Sequence, residues 1–139
     1  MQKAFDTKLC QGVAALIKRD SYVLEETLVP EEMIALFGEF DLVIAMRLHA
    51  LIFAAIAGVP MVGLGYDPKI NSFLSQIGMP QALSIENLKA EDLTKQALEQ
   101  WMARDGIKAL LKAKTEEMRK QVDEFAEELL GFLTERSQA

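Results

Sequence analysis

Apolar residues recur at steps of three and four over the first 18 positions, at Phe5, Leu9, Val13, Leu16 and Ile17, and this spacing predicts an amphipathic helix. Ser21–Glu25 has the β-branched and aromatic content of a short strand. A second helix is expected to begin at Pro30. Glu31 and Glu32 sit in its first turn, Met33, Ile34 and Phe37 form its apolar face, and Gly38 is the stop. Leu42–Met46 is an unbroken apolar run of the kind found in a central parallel strand covered on both faces. Leu48–Ala57 is apolar around its whole circumference and predicts a buried helix, ended by Gly58, Val59 and Pro60. Met61–Leu64 then reads as a strand, Asp67–Ile77 as a helix closed by Gly78, Ala82–Ile85 as a short strand and Ala90–Ala103 as a helix. From Ile107 onward Leu110, Leu111, Met118, Val122, Phe125, Leu129 and Phe132 form a helical stripe, with Glu116/Lys120 and Lys120/Glu124 as i,i+4 pairs on its wet face.

Strands alternating with helices imply an α/β fold: a Rossmann-like parallel sheet with flanking helices. The 139 residues fit a single domain, in which residues 1–104 form the α/β portion and residues 105–139 a C-terminal helix. A doubly wound domain normally opens on a strand, whereas the first element here is a helix, so the domain is expected to be truncated at its N-terminus.

Charge refines this outline. Residues 41–80 contain four Asp, Glu, Lys or Arg (Asp41, Arg47, Asp67 and Lys69), where a charged fraction of 26% would give about ten. This stretch is the expected core, and charges inside it are costly unless paired or used. Ala50–Gly65 carries no charge at all, but its 16 residues fall short of the roughly 20 that a spanning helix needs, and Gly58 and Pro60 interrupt it. No transmembrane segment is expected. The net charge of −6 argues against nucleic acid as a partner. Cys10 is the single cysteine, which excludes a disulfide framework and, with no secretory signal, points to the cytoplasm.

The four charges of the core stretch fall just after two strands. Arg47 and His49 follow Leu42–Met46, and Asp67 and Lys69 follow Met61–Leu64. Ligands of open parallel sheets bind outside the carboxyl ends of the strands. His49 lies in the first turn of a helix, where free N–H groups favour an anion. Arg47 adds a bidentate fork and Lys69 a point charge, and Gly63 and Gly65 allow a sharp turn or close backbone approach. Together they describe a pocket for a small, strongly anionic molecule with one imidazole able to move a proton. Structural roles compete with this reading. A lone histidine beside a buried helix is often a hydrogen-bonded structural residue, and Arg47 has Asp41 or Asp67 as ion partners. Asp67 and Pro68 suit the N-cap and N1 positions of a helix, and Cys10 suits a small core position. One histidine and one cysteine build no metal site of the usual ligand count, and there is no Walker loop or GxGxxG fingerprint.

The block Asp41–Pro60 (DLVIAMRLHALIFAAIAGVP), followed by Gly65-Tyr66-Asp67-Pro68-Lys69, resembles the polysaccharide pyruvyl transferase family of the CsaB type. Arg47-Leu48-His49 and Tyr66-Asp67-Pro68-Lys69 at this separation carry the likeness, which extends more weakly from about Asp20 through Gly78 and into the C-terminal helices. Ala45 stands where the family commonly has glycine. The resemblance implies the C-terminal domain of a GT-B fold, in which two Rossmann-like domains face a cleft. It implies transfer of the pyruvyl group of phosphoenolpyruvate to a sugar of a cell-surface polysaccharide, usually as a cyclic ketal, with release of phosphate. Carried onto this chain, Arg47, Leu48 and Lys69 hold phosphoenolpyruvate and His49 is the acid/base catalyst. Phosphoenolpyruvate is a co-substrate, and no cofactor or metal is implied. The family's N-terminal domain is expected to be missing, leaving the chain inactive or weakly active alone; in a GT-B arrangement the C-terminal stripe packs back on that domain, and without it the exposed apolar surface drives dimerisation. Two other readings are a nucleotide-sugar glycosyltransferase domain of the same fold and a non-catalytic interaction module derived from such an enzyme.

Overall fold

The computed structural model describes residues 2–65 and 67–137; the Phe5 side chain and Tyr66 lie outside the described residues. Six helices and two strands follow in the order α1 (Gln2–Leu16), α2 (Pro30–Gly38), β1 (Val43–Ala45), α3 (Leu48–Ala57), β2 (Met61–Gly63), α4 (Pro68–Gln76), α5 (Ala90–Met102) and α6 (Arg104–Ser137). The fold is mixed α/β.

β1 and β2 pair in parallel, with Val43 opposite Met61, Ile44 opposite Val62 and Ala45 opposite Gly63. The α3 crossover joins them, as a parallel pair requires. A parallel bridge between Leu64 and Leu83 extends the pairing on the far side of β2. This sheet is smaller than the Rossmann-like one expected. Ala82–Ile85 contributes that single bridge rather than a strand. Ser21–Glu25 is irregular, with Tyr22 exposed, because no neighbouring strand supplies the ladder that would hold it extended. β1 is also not covered on both faces: Ile44 is 47% exposed, and the following Met46 is exposed too.

The core forms where α3, β2 and α4 meet. Leu51, Met61, Val62, Leu74, Ile77 and Leu111 are fully buried. Among the described residues, all the buried apolar ones except Phe37 and Leu111 fall between positions 41 and 80, the charge-poor stretch. α2 is pinned to α3 by an edge-on contact of Phe37 with Phe53, the ring centroids lying 6.1 Å apart. Glu32 closes the start of α2 by accepting the Val29 N–H at 3.0 Å. α3 ends on Gly58, whose φ of 74° is a left-handed conformation that favours glycine.

The two terminal helices behave differently from the middle of the chain. α1 leaves Leu9, Val13 and Leu16 exposed, and Cys10 is exposed rather than a core residue. α6 runs for 34 residues, about 51 Å. Leu111 is buried and Met118 packs against the core, but Val122, Phe125 and Leu129 are exposed. The ion pairs on its wet face are Lys114–Glu117 and Arg119–Asp123, not the two expected around Lys120. No helix among the described residues is long and apolar enough to cross a membrane.

Candidate functional site

The carboxyl ends of β1 and β2 are stitched together. Leu64 N–H donates to the Ala45 carbonyl at 2.8 Å, so the chain segments leaving the two strands start side by side, about 4.8 Å apart. The first segment delivers Arg47, Leu48 and His49, and the second Asp67, Pro68 and Lys69.

Arg47 is the N-cap of α3, with an extended backbone (φ −100°, ψ 130°) and no capping bond from its side chain. Its carbonyl accepts the N–H groups of Ala50 and Leu51, at 3.1 and 3.3 Å. The amides of Leu48 and His49, one residue earlier in the turn, precede the first intrahelical bonds and have no partner within the helix. Leu48 is half-buried against the core and anchors the turn, while His49 is exposed. Alternation of inward and outward side chains at the helix start thus leaves the imidazole in solvent.

The Arg47 guanidinium has a partner that the sequence did not suggest. Its Nη2 lies 3.1 Å from Oδ2 of Asp6 on α1, whereas Asp41 and Asp67 were the expected partners. The side chains are 71% and 45% exposed, so the pair is solvent-screened and weakly held. Asp6 is 41 positions away, and no local spacing signals the contact.

The second segment follows its expected local chemistry. Asp67 caps α4, its Oδ1 accepting the Lys69 N–H at 2.8 Å, and Pro68 occupies the first turn. Lys69 is exposed beside this carboxylate. Gly65 turns the chain out of β2 with φ 144°, a conformation that needs glycine. Gly63 serves another purpose than close approach to a ligand. A Cβ there would meet Leu74 Cδ1 at 2.8 Å and Ala82 Cβ at 3.2 Å, so the missing side chain is what lets α4 and residue 82 close on β2. Asn71 fastens the same packing by accepting the Ala82 N–H at 2.9 Å.

Arg47, His49 and Lys69 therefore leave one edge of the sheet, all three exposed to solvent. The segments leaving the carboxyl ends of β1 and β2 thus carry two cationic side chains, an imidazole and the N-terminus of α3. Among the described residues no group of three or more His, Cys, Asp or Glu is arranged to hold a metal ion.

Two concavities lie elsewhere. A polar cleft of about 160 Å³ sits at the amino ends of the strands, between Asp41, Gly58, Pro60, Arg104, Asp105 and Lys108. These residues carry no motif, and their grouping depends on where α6 begins. That start is fixed by Arg104, which stacks over the Trp101 ring at 4.8 Å and donates to its carbonyl at 3.1 Å. An apolar groove of about 660 Å³ runs between α3, α4 and α6.

Residues 5–68 match the family model of polysaccharide pyruvyl transferase. Arg47, Leu48 and His49 fall inside that span, which ends one residue before Lys69. No curated protein and no solved structure matches the chain significantly.

Proposed function

Because residues 5–68 match the polysaccharide pyruvyl transferase family model, we propose that this chain binds phosphoenolpyruvate at the carboxyl ends of β1 and β2 and takes part in moving its pyruvyl group to a sugar of a polysaccharide. The observation that carries the reading is the stitching of the two strand ends by Leu64 N–H and Ala45 O, beside which Arg47, His49 and Lys69 all emerge exposed.

Phosphoenolpyruvate presents a carboxylate and a phosphate joined through one carbon, and needs two cationic contacts close together. Arg47 supplies a planar fork matched to either group, and Lys69 a point charge for the other. The amides of Leu48 and His49 add donors backed by the positive end of the α3 dipole. The reaction needs a proton at the methylene carbon. His49 donates it, turning the CH2 into a CH3 and leaving an oxocarbenium centre at the neighbouring carbon. One sugar hydroxyl adds there and gives up its proton, which restores the imidazolium. Phosphate departs with the C–O electron pair, a second hydroxyl closes the ketal, and its proton leaves with the phosphate. The cations beside the phosphate stabilise the charge that develops as it departs.

The test is binding followed by turnover. Titration of the chain with phosphoenolpyruvate, read by calorimetry and by the NMR signals of its single histidine, is expected to saturate. Arg47→Ala and Lys69→Ala are each expected to weaken it at least tenfold, by about 1.4 kcal/mol or more. His49→Ala is expected to leave phosphoenolpyruvate binding by the chain within about threefold, and, in a protein that carries both domains of the fold, to lower phosphate release by about 100-fold or more in the presence of a sugar acceptor. Tighter binding of a nucleoside diphosphate than of phosphoenolpyruvate, or turnover indifferent to His49→Ala, would replace this reading with a glycosyltransferase or a non-catalytic module.

A further inference from the structure

The C-terminal half of α6 leads away from the core with its apolar stripe uncovered. Leu111, Met118, Val122, Phe125 and Leu129 fall on one seam, at spacings of seven, four, three and four. The seam starts in the core, where Leu111 is fully buried, and becomes exposed at Val122, which is 66% accessible. At that crossover it borders the 660 Å³ groove, whose walls include Ile52 and Ile56 of α3, Phe73 of α4, and Glu116, Met118, Arg119 and Val122 of α6. Because α6 is one continuous helix, its outer half cannot fold back to fill the groove beside its inner half.

Charge identifies what does fill it. Residues 104–120 carry six basic and three acidic side chains, a balance of +3, and residues 121–137 carry one basic and five acidic, a balance of −4. Two α6 helices side by side and parallel would set acid against acid. Antiparallel, each acidic half meets a basic half.

We propose that this chain forms a two-fold symmetric homodimer in which the outer half of each α6 lies antiparallel in the apolar groove of the other copy. Val122, Phe125 and Leu129 of one copy then cover Ile52, Ile56 and Phe73 of its partner, while Glu128 of the acidic half runs alongside Lys114 of the partner's basic half, both on the same side of the seam. The contact is isologous, so it is made twice and closes on itself. It does not depend on the catalytic reading.

Sedimentation equilibrium of the intact chain is the test. The expected species has twice the chain mass, with a dissociation constant that rises as salt is added. Phe125→Glu combined with Leu129→Glu alters exposed positions only. It is expected to leave the far-ultraviolet circular dichroism per residue within error and to raise the dissociation constant by about 100-fold. Glu128→Lys is expected to weaken the dimer, and adding Lys114→Glu, on the same side of the seam, to restore it. A chain monomeric at every concentration, a dimer indifferent to Phe125→Glu and Leu129→Glu, or charge reversal without rescue would each overturn the proposal.

Discussion

Residues 41–80 and the two terminal helices have the same kind of apolar content and opposite fates. In the middle, Leu51, Met61, Val62, Leu74 and Ile77 are fully buried. At the ends, Leu16 is 83% exposed, and Val13, Val122 and Phe125 are exposed as well. Both ends have well-formed helical periodicity, so periodicity does not separate the two cases. Absence of charge does, because a segment with few charges has little solvated face to offer and is covered over most of its surface, Ile44, Met46 and Ile56 being the exceptions. A periodic segment with a charged face can stand with its stripe uncovered until a partner arrives.

The largest test of this contrast is truncation of one leucine in each region. Leu74→Ala empties a fully buried site between α4 and β2 and is expected to cost about 3 kcal/mol in urea unfolding. Leu16→Ala, on the exposed end of α1, is expected to change stability by about 0.5 kcal/mol or less. Equal losses at the two sites would mean that α1 is packed in solution and that the contrast is not one of burial.

Overfilling the same contact is the next test. Gly63→Ala drives a methyl to 2.8 Å from Leu74 Cδ1 and 3.2 Å from Ala82 Cβ. Leu74 is fully buried and has little room to retreat, so a loss of about 1–3 kcal/mol is expected in the same assay. Pairing Gly63→Ala with Leu74→Ala is expected to cost less than the sum of the two, because the new methyl enters the space that the leucine vacated.

A smaller effect is expected at the start of α4. Asp67→Ala removes the acceptor of the Lys69 N–H bond and is expected to cost about 1 kcal/mol, whereas Asp67→Ser retains most of the cap.

That cap shows which features were legible beforehand. Helix α3 has the bounds that its pattern predicts, from Leu48 to Ala57. Pro30 at the start of α2, and Asp67 with Pro68 at the start of α4, act through neighbours one to three residues away, which is why the local sequence displays them. Ser21–Glu25 and Ala82–Ile85 are different. Strand composition makes a segment willing to be a strand, but the ladder is supplied by another part of the chain, and only Leu83 finds one. The placement of Arg47, His49 and Lys69 beyond two neighbouring strand ends could be foreseen, since each lies within six residues of its strand. Gly63 carried no sign that its missing Cβ admits Leu74 rather than a ligand, because that contact is set by how α4 lies on β2.

Asp6 is the clearest case of a partner invisible in the sequence, and it gives the smallest and most specific test, since the same contact joins an exposed terminal helix to the edge of the core. The Asp6–Arg47 pair is exposed on both sides, so Asp6→Asn is expected to lower stability by about 0.5 kcal/mol or less. Its effect on the candidate site runs the other way. The Asp6 carboxylate is an anion already within 3.1 Å of the guanidinium, and any anionic ligand of Arg47 must displace it or share the fork with it. Neutralising it frees the donor groups at the cost of that weak pair alone, so affinity for phosphoenolpyruvate is expected to rise about twofold, corresponding to the same fraction of a kcal/mol. Asp6→Asn in an Arg47→Ala background is expected to give no such gain, since the competition is for the guanidinium. A gain that persists without Arg47 would mean that Asp6 acts through the general field around the site, and a loss of affinity would mean that α1 holds Arg47 in the orientation that the ligand needs.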